Sequence, residues 1–109
     1  MTDETHDARV VDNPDKHRFE AQVAGAVAGF SNYERRGPKI DLTHIEVEGD
    51  FEGQGIGSIL ARRSLDAARD DGLSVLPHCP FVKRYIERHP EYLGLVEVED
   101  RERFGLPTA

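Results

Sequence analysis

The sequence predicts a mixed α+β (α/β-type) domain: a mostly antiparallel sheet carrying one parallel strand–helix–strand unit, with two main helices. Three observations predict it. Residues 17–47 hold successive alternating runs separated by tight-turn residues, the period of half-buried strands. Gly53, Gly55 and Gly57 then open directly into helical periodicity, which ends at Gly72 before a short apolar run, Leu73-Ser74-Val75-Leu76. A second, shorter helical pattern starts just behind Pro80.

At 109 residues the chain is one domain with a modest core. The apolar share of 38% contains no long apolar run, which excludes a transmembrane helix. The polar, mixed-charge N-terminus does not read as a secretory signal. A single cysteine, Cys79, excludes an internal disulfide framework and fits a reducing, cytoplasmic setting. A net charge of −7 argues against broad nucleic-acid binding, while a small anionic ligand needs only a local positive site.

Residues 1–16, with Asp3, Glu4, Asp7, Asp12 and Asp15, read as a flexible N-terminal arm that joins the sheet only near its end. The domain proper is expected over 17–96, with 97–109 as a C-terminal tail. Arg18-Phe19-Glu20-Ala21-Gln22-Val23 alternates as a strand, Ala24-Gly25 supplies a tight turn, and 26–34 returns as the second arm of a hairpin. Arg35-Arg36-Gly37-Pro38 makes the next turn.

Strand 39–47 follows. Period two places Ile40, Leu42, His44 and Glu46 on one face and Asp41, Thr43, Ile45 and Val47 on the other. Neither set is purely polar, as for a central strand covered in part on both sides. Helix 57–71 shows a narrow face of Leu60, Ala61, Ser64, Leu65 and Ala68, suited to close packing on a sheet. Strand 73–76 completes a parallel unit with an expected right-handed crossover. The second helix, 81–89, ends before Pro90.

The organising stretch is Phe51 through Leu60. Glycines admit positive φ and let another molecule approach the backbone. The first helical turn offers unpartnered N–H groups at the positive end of the helix dipole. The combination is a seat for phosphate or pyrophosphate, and its plain alternative is a strand-to-helix connector.

With these elements in place, the chain resembles a small single-domain member of the GNAT superfamily of N-acetyltransferases, from about Arg18 to Tyr92. Three features carry the resemblance. The first is Thr43-His44-Ile45-Glu46-Val47, an acidic spacer, then Gly53-Gln54-Gly55-Ile56-Gly57. The second is the crossover helix with the strand ending at Leu76. The third is Cys79-Pro80-Phe81-Val82-Lys83-Arg84-Tyr85-Ile86 followed by His89-Pro90-Glu91-Tyr92. The superfamily loop begins with Gln or Arg where this chain has Glu52, a carboxylate unfavourable beside a pyrophosphate unless solvated or paired.

The resemblance implies a minimal fold with acetyl-coenzyme A as cosubstrate, no metal, and acetyl transfer to an amine of a protein or a small molecule. It places the coenzyme on Gly53, Gln54, Gly55, Ile56, Gly57 and Ser58, on the backbone of Val47, and beside Cys79, with Lys83 and Arg84 as cations for its ribose phosphate or adenine end or else on a solvated helix face. His44 and Glu46 are candidate general bases, each also readable as a solvated strand residue. Cys79 is a nucleophile, a lining residue at the thiol end, or a small buried hydrophobe. Tyr85 protonates the leaving thiolate or simply packs. The expected cleft is wide, and net acidity favours a cationic acceptor. No nucleic-acid or membrane partner is expected, and the chain is expected to be a monomer or weak homodimer. The second reading is a coenzyme A-binding module with little transferase activity.

Overall fold

The computed structural model describes residues 8–108. Two tight turns build the antiparallel half of the sheet. β2 (Arg18–Val23) and β3 (Ala26–Arg36) are joined by Ala24 and Gly25, both at positive φ (52° and 83°). That pair of angles is what a two-residue hairpin matched to strand twist requires. β3 meets β4 (Lys39–Val47) through Gly37 (φ 62°) and Pro38 alone. Because this turn uses only two residues, Arg35 and Arg36 stay in the strand, paired with Ile40 and Lys39, beyond the expected end at 34.

β1 (Arg9–Asn13) pairs along its whole length with β2, so the sheet takes in more of the expected arm than its end. The remainder of that arm, 1–7, lies outside the described residues. Tyr33 donates a 2.6 Å hydrogen bond to Asp12 and ties β1 to β3. Burial, then that carboxylate, pushes the Tyr33 phenol up to about 12.

α1 (Ile56–Asp70) crosses over the sheet to β5 (Ser74–Leu76), which pairs parallel to β4 through Lys39–Ser74, Ile40–Val75 and Asp41–Leu76. The sheet order is β1-β2-β3-β4-β5. α1 ends in a Schellman arrangement: Leu73 N–H bonds Ala68 O, Gly72 N–H bonds Arg69 O, and Gly72 takes φ 70°. Its buried face adds Ile56 and Gly57 to the five residues expected from the periodicity. Leu60 and Leu65 are fully buried, each contributing about 1.5–3 kcal/mol by leaving water.

The faces of β4 differ from strict alternation, and a bulge is the reason. Asn32 pairs with His44 and Tyr33 with Leu42, which leaves Thr43 unpaired. An extra residue shifts the strand by one and flips its faces. The core side therefore runs Ile40, Leu42, then Ile45 and Val47, all packed in the apolar clusters beneath α1 and α2 (Pro80–Arg88). His44 and Glu46 are turned to the face away from the helices, where both are more than half exposed.

The expected tail is folded. Asp100, in the short α3 (Val98–Arg101), accepts a 2.8 Å bond from Lys39, Glu97 accepts one from Ser74, and Leu106 is buried in the core. Two acidic residues of the expected tail, Glu97 and Asp100, are thus paired to the starts of β4 and β5.

Candidate functional site

Beyond Asp41 the parallel pairing stops. One further bond, from Cys79 N–H to Leu42 O (2.8 Å), ties the strands together. From Thr43 to Val47, β4 has no strand on its second edge among the described residues, and the chain after β5 turns into α2 at Pro80. The result is a slot with free backbone groups on one wall, suited to an extended polar arm added like another strand.

The glycine loop closes the far end of this slot. Gly53 and Gly55 take φ 83° and 79°, and Gly55 is the N-terminal boundary residue of α1. The first bond within the helix is Ile59 N–H to Gly55 O, so the N–H groups of Ile56, Gly57 and Ser58 have no helical acceptor. No side chain caps them and no acid occupies the first turn. A Cβ on Gly53 would meet nothing within 4 Å, so that side of the loop is open. A hollow of about 240 Å³ lies here, walled by Val47, Phe51, Gly53, Gly55, Ser58 and Phe81 among others. Such a site holds phosphate through backbone donors and the helix dipole.

Gly57 has a second reason to be glycine. A Cβ there would lie 2.9 Å from Phe81 Cζ, so the bare backbone lets the Phe81 ring pack on the first turn of α1. Glu52 is exposed at the rim of the hollow and makes no ion pair among the described residues. It points no built-in acid–cation pair into the site.

Ser58 and Phe81 also wall a second hollow, of about 110 Å³, completed by Arg84, Tyr85, Arg88 and His89. The two hollows share Ser58 and Phe81 as walls, and the second carries two guanidiniums, Arg84 and Arg88. Arg84 and Arg88 stand one helical turn apart, a spacing visible in the sequence. Lys83, one cation expected at the coenzyme, instead stands 3.9 Å from Glu87, and a Cβ on Gly105 would lie 3.5 Å from its Nζ. It lines neither hollow, whereas its neighbour Arg84 lines the second.

The other expected site residues are spread out. Tyr85 is half-buried, stacked on His89 with centroids 4.1 Å apart. Burial raises its phenol pKa, against a pull downwards from Arg62. Cys79 is 3% exposed, at the start of α2 in the core cluster with Leu42, Val82 and Ile86. Its surroundings are those of a small apolar residue. His44 and Glu46 lie 3.2 Å apart on the opposite face of the sheet, near Phe30. They line neither of the hollows at the loop.

A pair that the sequence reading did not bring together lies where β4 and β5 part. Nδ1 of His78 is 2.7 Å from Oδ1 of the buried Asp41. Thirty-seven residues separate the two, so no local spacing signals the contact.

A parallel splay beside an uncapped, glycine-led helix sits in a mixed α+β domain with one parallel crossover unit. The chain belongs to the GCN5-related N-acetyl-transferase family, whose model matches residues 18–95. It is 34% identical over 59 residues to Protein NATD1 of Xenopus tropicalis, a match covering 53% of this chain and 54% of that one. Protein NATD1 of Homo sapiens matches at the same identity over 52% of its length. The chain therefore matches about half the length of these relatives. In fold it is similar to the solution structure of a GCN5-like protein from Staphylococcus aureus, with TM-score 0.62 and 19% identity over 89% of this chain and 91% of that one.

Proposed function

We propose that this chain binds acetyl-coenzyme A in the slot between β4 and α2 and transfers its acetyl group to an amine. The observation that carries the reading is the conjunction of three N–H groups without a helical acceptor, at Ile56, Gly57 and Ser58, with the Arg84–Arg88 hollow that shares Ser58 and Phe81 as walls. Pyrophosphate would accept from the backbone donors, and the two guanidiniums would meet the remaining phosphate charge. The pantetheine arm would pair with the free edge of β4 at Val47, with Phe81 and Tyr85 across the slot.

The residues of this chain then have separate duties. The slot aligns the thioester and lowers the entropic cost of meeting the amine. Tyr85 walls the hollow of Arg84 and Arg88, beside the phosphate end of the coenzyme. Direct transfer is favoured over an acetyl-cysteine route, because the Cys79 thiol is packed in the core rather than open to the slot.

A thermal-shift titration with acetyl-coenzyme A, followed by thiol release with a panel of amines, tests the proposal. Saturable stabilisation and turnover support it. No stabilisation at millimolar ligand overturns it. Saturable stabilisation with no release across the panel favours a binding module, the reading to which Glu52 at the rim lends support.

A further inference from the structure

The Asp41–His78 pair faces a third hollow, of about 590 Å³, that none of the roles above uses. Its walls are Arg36, Asp41, Leu76, His78, Arg103 and Phe104. We propose that this hollow is the acceptor site, that His78 takes the proton from the incoming amine, and that Arg36 and Arg103 select an acceptor carrying a carboxylate. The proposal rests on the acetyltransferase reading above.

Position comes first. Asp41 is the last residue of β4 paired with β5, and His78 stands two residues beyond the end of β5. The pair therefore sits at the point where the strands part, which is the inner end of the slot. Cys79, next in the chain, faces the core on the helix side. His78 stands on the other side of the same parting, half exposed to the hollow. A thioester reaching the inner end of the slot would meet an amine entering from this hollow.

Chemistry comes second. A carboxylate only accepts hydrogen bonds, so Nδ1–H of His78 donates to Asp41 and Nε2 is left with its lone pair. The Phe104 ring stands edge-on to the imidazole, centroids 4.8 Å apart, and restrains its tilt. Asp41 is 3% exposed and also receives Arg36 at 3.6 Å. It is a positioning residue that holds the imidazole in one tautomer and one orientation.

Charge comes third. Two guanidiniums face the hollow against one carboxylate, which is already engaged by His78 and Arg36. Arg103 lies over Phe104, 4.8 Å from the ring centroid, and makes no ion pair among the described residues. This surplus repels a polyamine or a lysine-rich peptide. It suits a small primary amine with its own carboxylate, of the amino-acid type, bound by a planar guanidinium fork. The local field thus opposes the cationic preference that net acidity suggests.

In the step, His78 Nε2 takes one proton from the ammonium, leaving the neutral amine. The nitrogen lone pair forms the C–N bond to the thioester carbonyl carbon. The C–S bond breaks with its electron pair on sulfur, and the surplus nitrogen proton ends on that sulfur, giving amide and free thiol. His78 returns its proton to solvent.

The test compares β-alanine with ethylamine, and phenylalanine with phenethylamine, in a thiol-release assay. Wild type is expected to favour each carboxylate partner by about 10-fold or more in kcat/KM. Arg103→Ala should reduce that preference to under about 3-fold, chiefly by raising KM for the carboxylate partner of each pair. His78→Gln should lower kcat by about 100-fold with the acetyl-coenzyme A thermal shift intact, and Asp41→Asn should lower kcat with KM little changed. A His78→Gln variant that keeps full turnover overturns the proposal and leaves the acetyltransferase reading standing. Loss of the coenzyme shift in wild type overturns that reading instead. Independently, β-alanine alone should move the His78 ring resonances saturably in an NMR titration while ethylamine does not. Equal shifts, or none, overturn the carboxylate pocket whatever the activity.

Discussion

The two sides of β4 were built by different kinds of information. On the helix side, the slot and the proposed phosphate seat come from one continuous stretch, Val47 to Ser58, plus one turn of α2. Its working groups are mostly backbone, and glycines create them by removing side chains. On the other side, the third hollow draws Arg36, Asp41, His78 and Arg103 from four separate segments. Its working groups are side chains, and none is needed to bury the core. The first side therefore couples ligand binding to folding, whereas the second can be altered with the fold intact. That asymmetry is testable.

The widest gap should appear in stability. Leu65→Ala beneath α1 removes a fully buried side chain and should cost about 2–5 kcal/mol. His44→Ala on the exposed face should change stability by no more than about 0.5 kcal/mol. Urea unfolding of the two variants measures both. Comparable losses would erase the distinction between a covered and an uncovered face.

Next come the loop glycines, where folding and binding should fail together. Gly55→Val forces a branched side chain to φ 79° and should cost about 1–2 kcal/mol. The same variant should weaken acetyl-coenzyme A by about 10-fold or more, as the N–H groups of the first turn lose their aim. Gly57→Ala should cost about 1–3 kcal/mol by displacing the Phe81 ring that walls both hollows. If either variant lost binding with unchanged stability, the loop would serve the ligand alone.

The same asymmetry decided what the sequence made legible. The alternating runs, the glycine loop, the α1 face and its Gly72 terminus are local patterns, and each is found where its spacing puts it. The faces of β4 were hidden because the bulge at Thr43 depends on the register of β3, which strand alternation cannot see. Which of Lys83 and Arg84 lines a hollow depends on the register of α2 against the loop, which the sequence does not display. The Asp41–His78 contact needs β4 and β5 side by side, and the folded tail needs Lys39 and Ser74 to meet Asp100 and Glu97. Long-range pairing of polar side chains leaves no periodic trace.

Cys79 separates a packing role from a chemical one at moderate cost. Cys79→Ala should keep turnover within about 3-fold. Cys79→Ser, which buries an extra hydroxyl among Leu42, Val82 and Ile86, should lose about 1–3 kcal/mol of stability. Intact mass after incubation with acetyl-coenzyme A should show no acetyl adduct on wild type. An adduct absent from both variants would move the chemistry back to this thiol.

The smallest effects, and the finest contrast, lie at the ends of the pH scale. On the exposed face, the hydrogen bond from Arg18 (2.8 Å), then that from Asn13, holds the Glu20 carboxyl below its ordinary 4.5. A depressed folded value means that the contribution is full above about 4.5 and disappears as pH falls through that lower value. Glu20→Gln should therefore lose at most about 1 kcal/mol at neutral pH, with the deficit closing in acid. On the helix side, Tyr33 and Tyr92 are both raised to about 12, first by burial and then by their bonds to Asp12 and Asp66. A raised folded value gives stability that is full below the ordinary 10.0 and is lost as pH climbs through about 12. Tyr33→Phe should thus cost about 0.5–1.5 kcal/mol near neutrality, a deficit that closes only in alkali. Thermal melts of both variants across pH would show the two faces giving way from opposite ends. Deficits that closed at the same end would mean that the polar groups on the two faces titrate as one network, and the comparison would lose its electrostatic half.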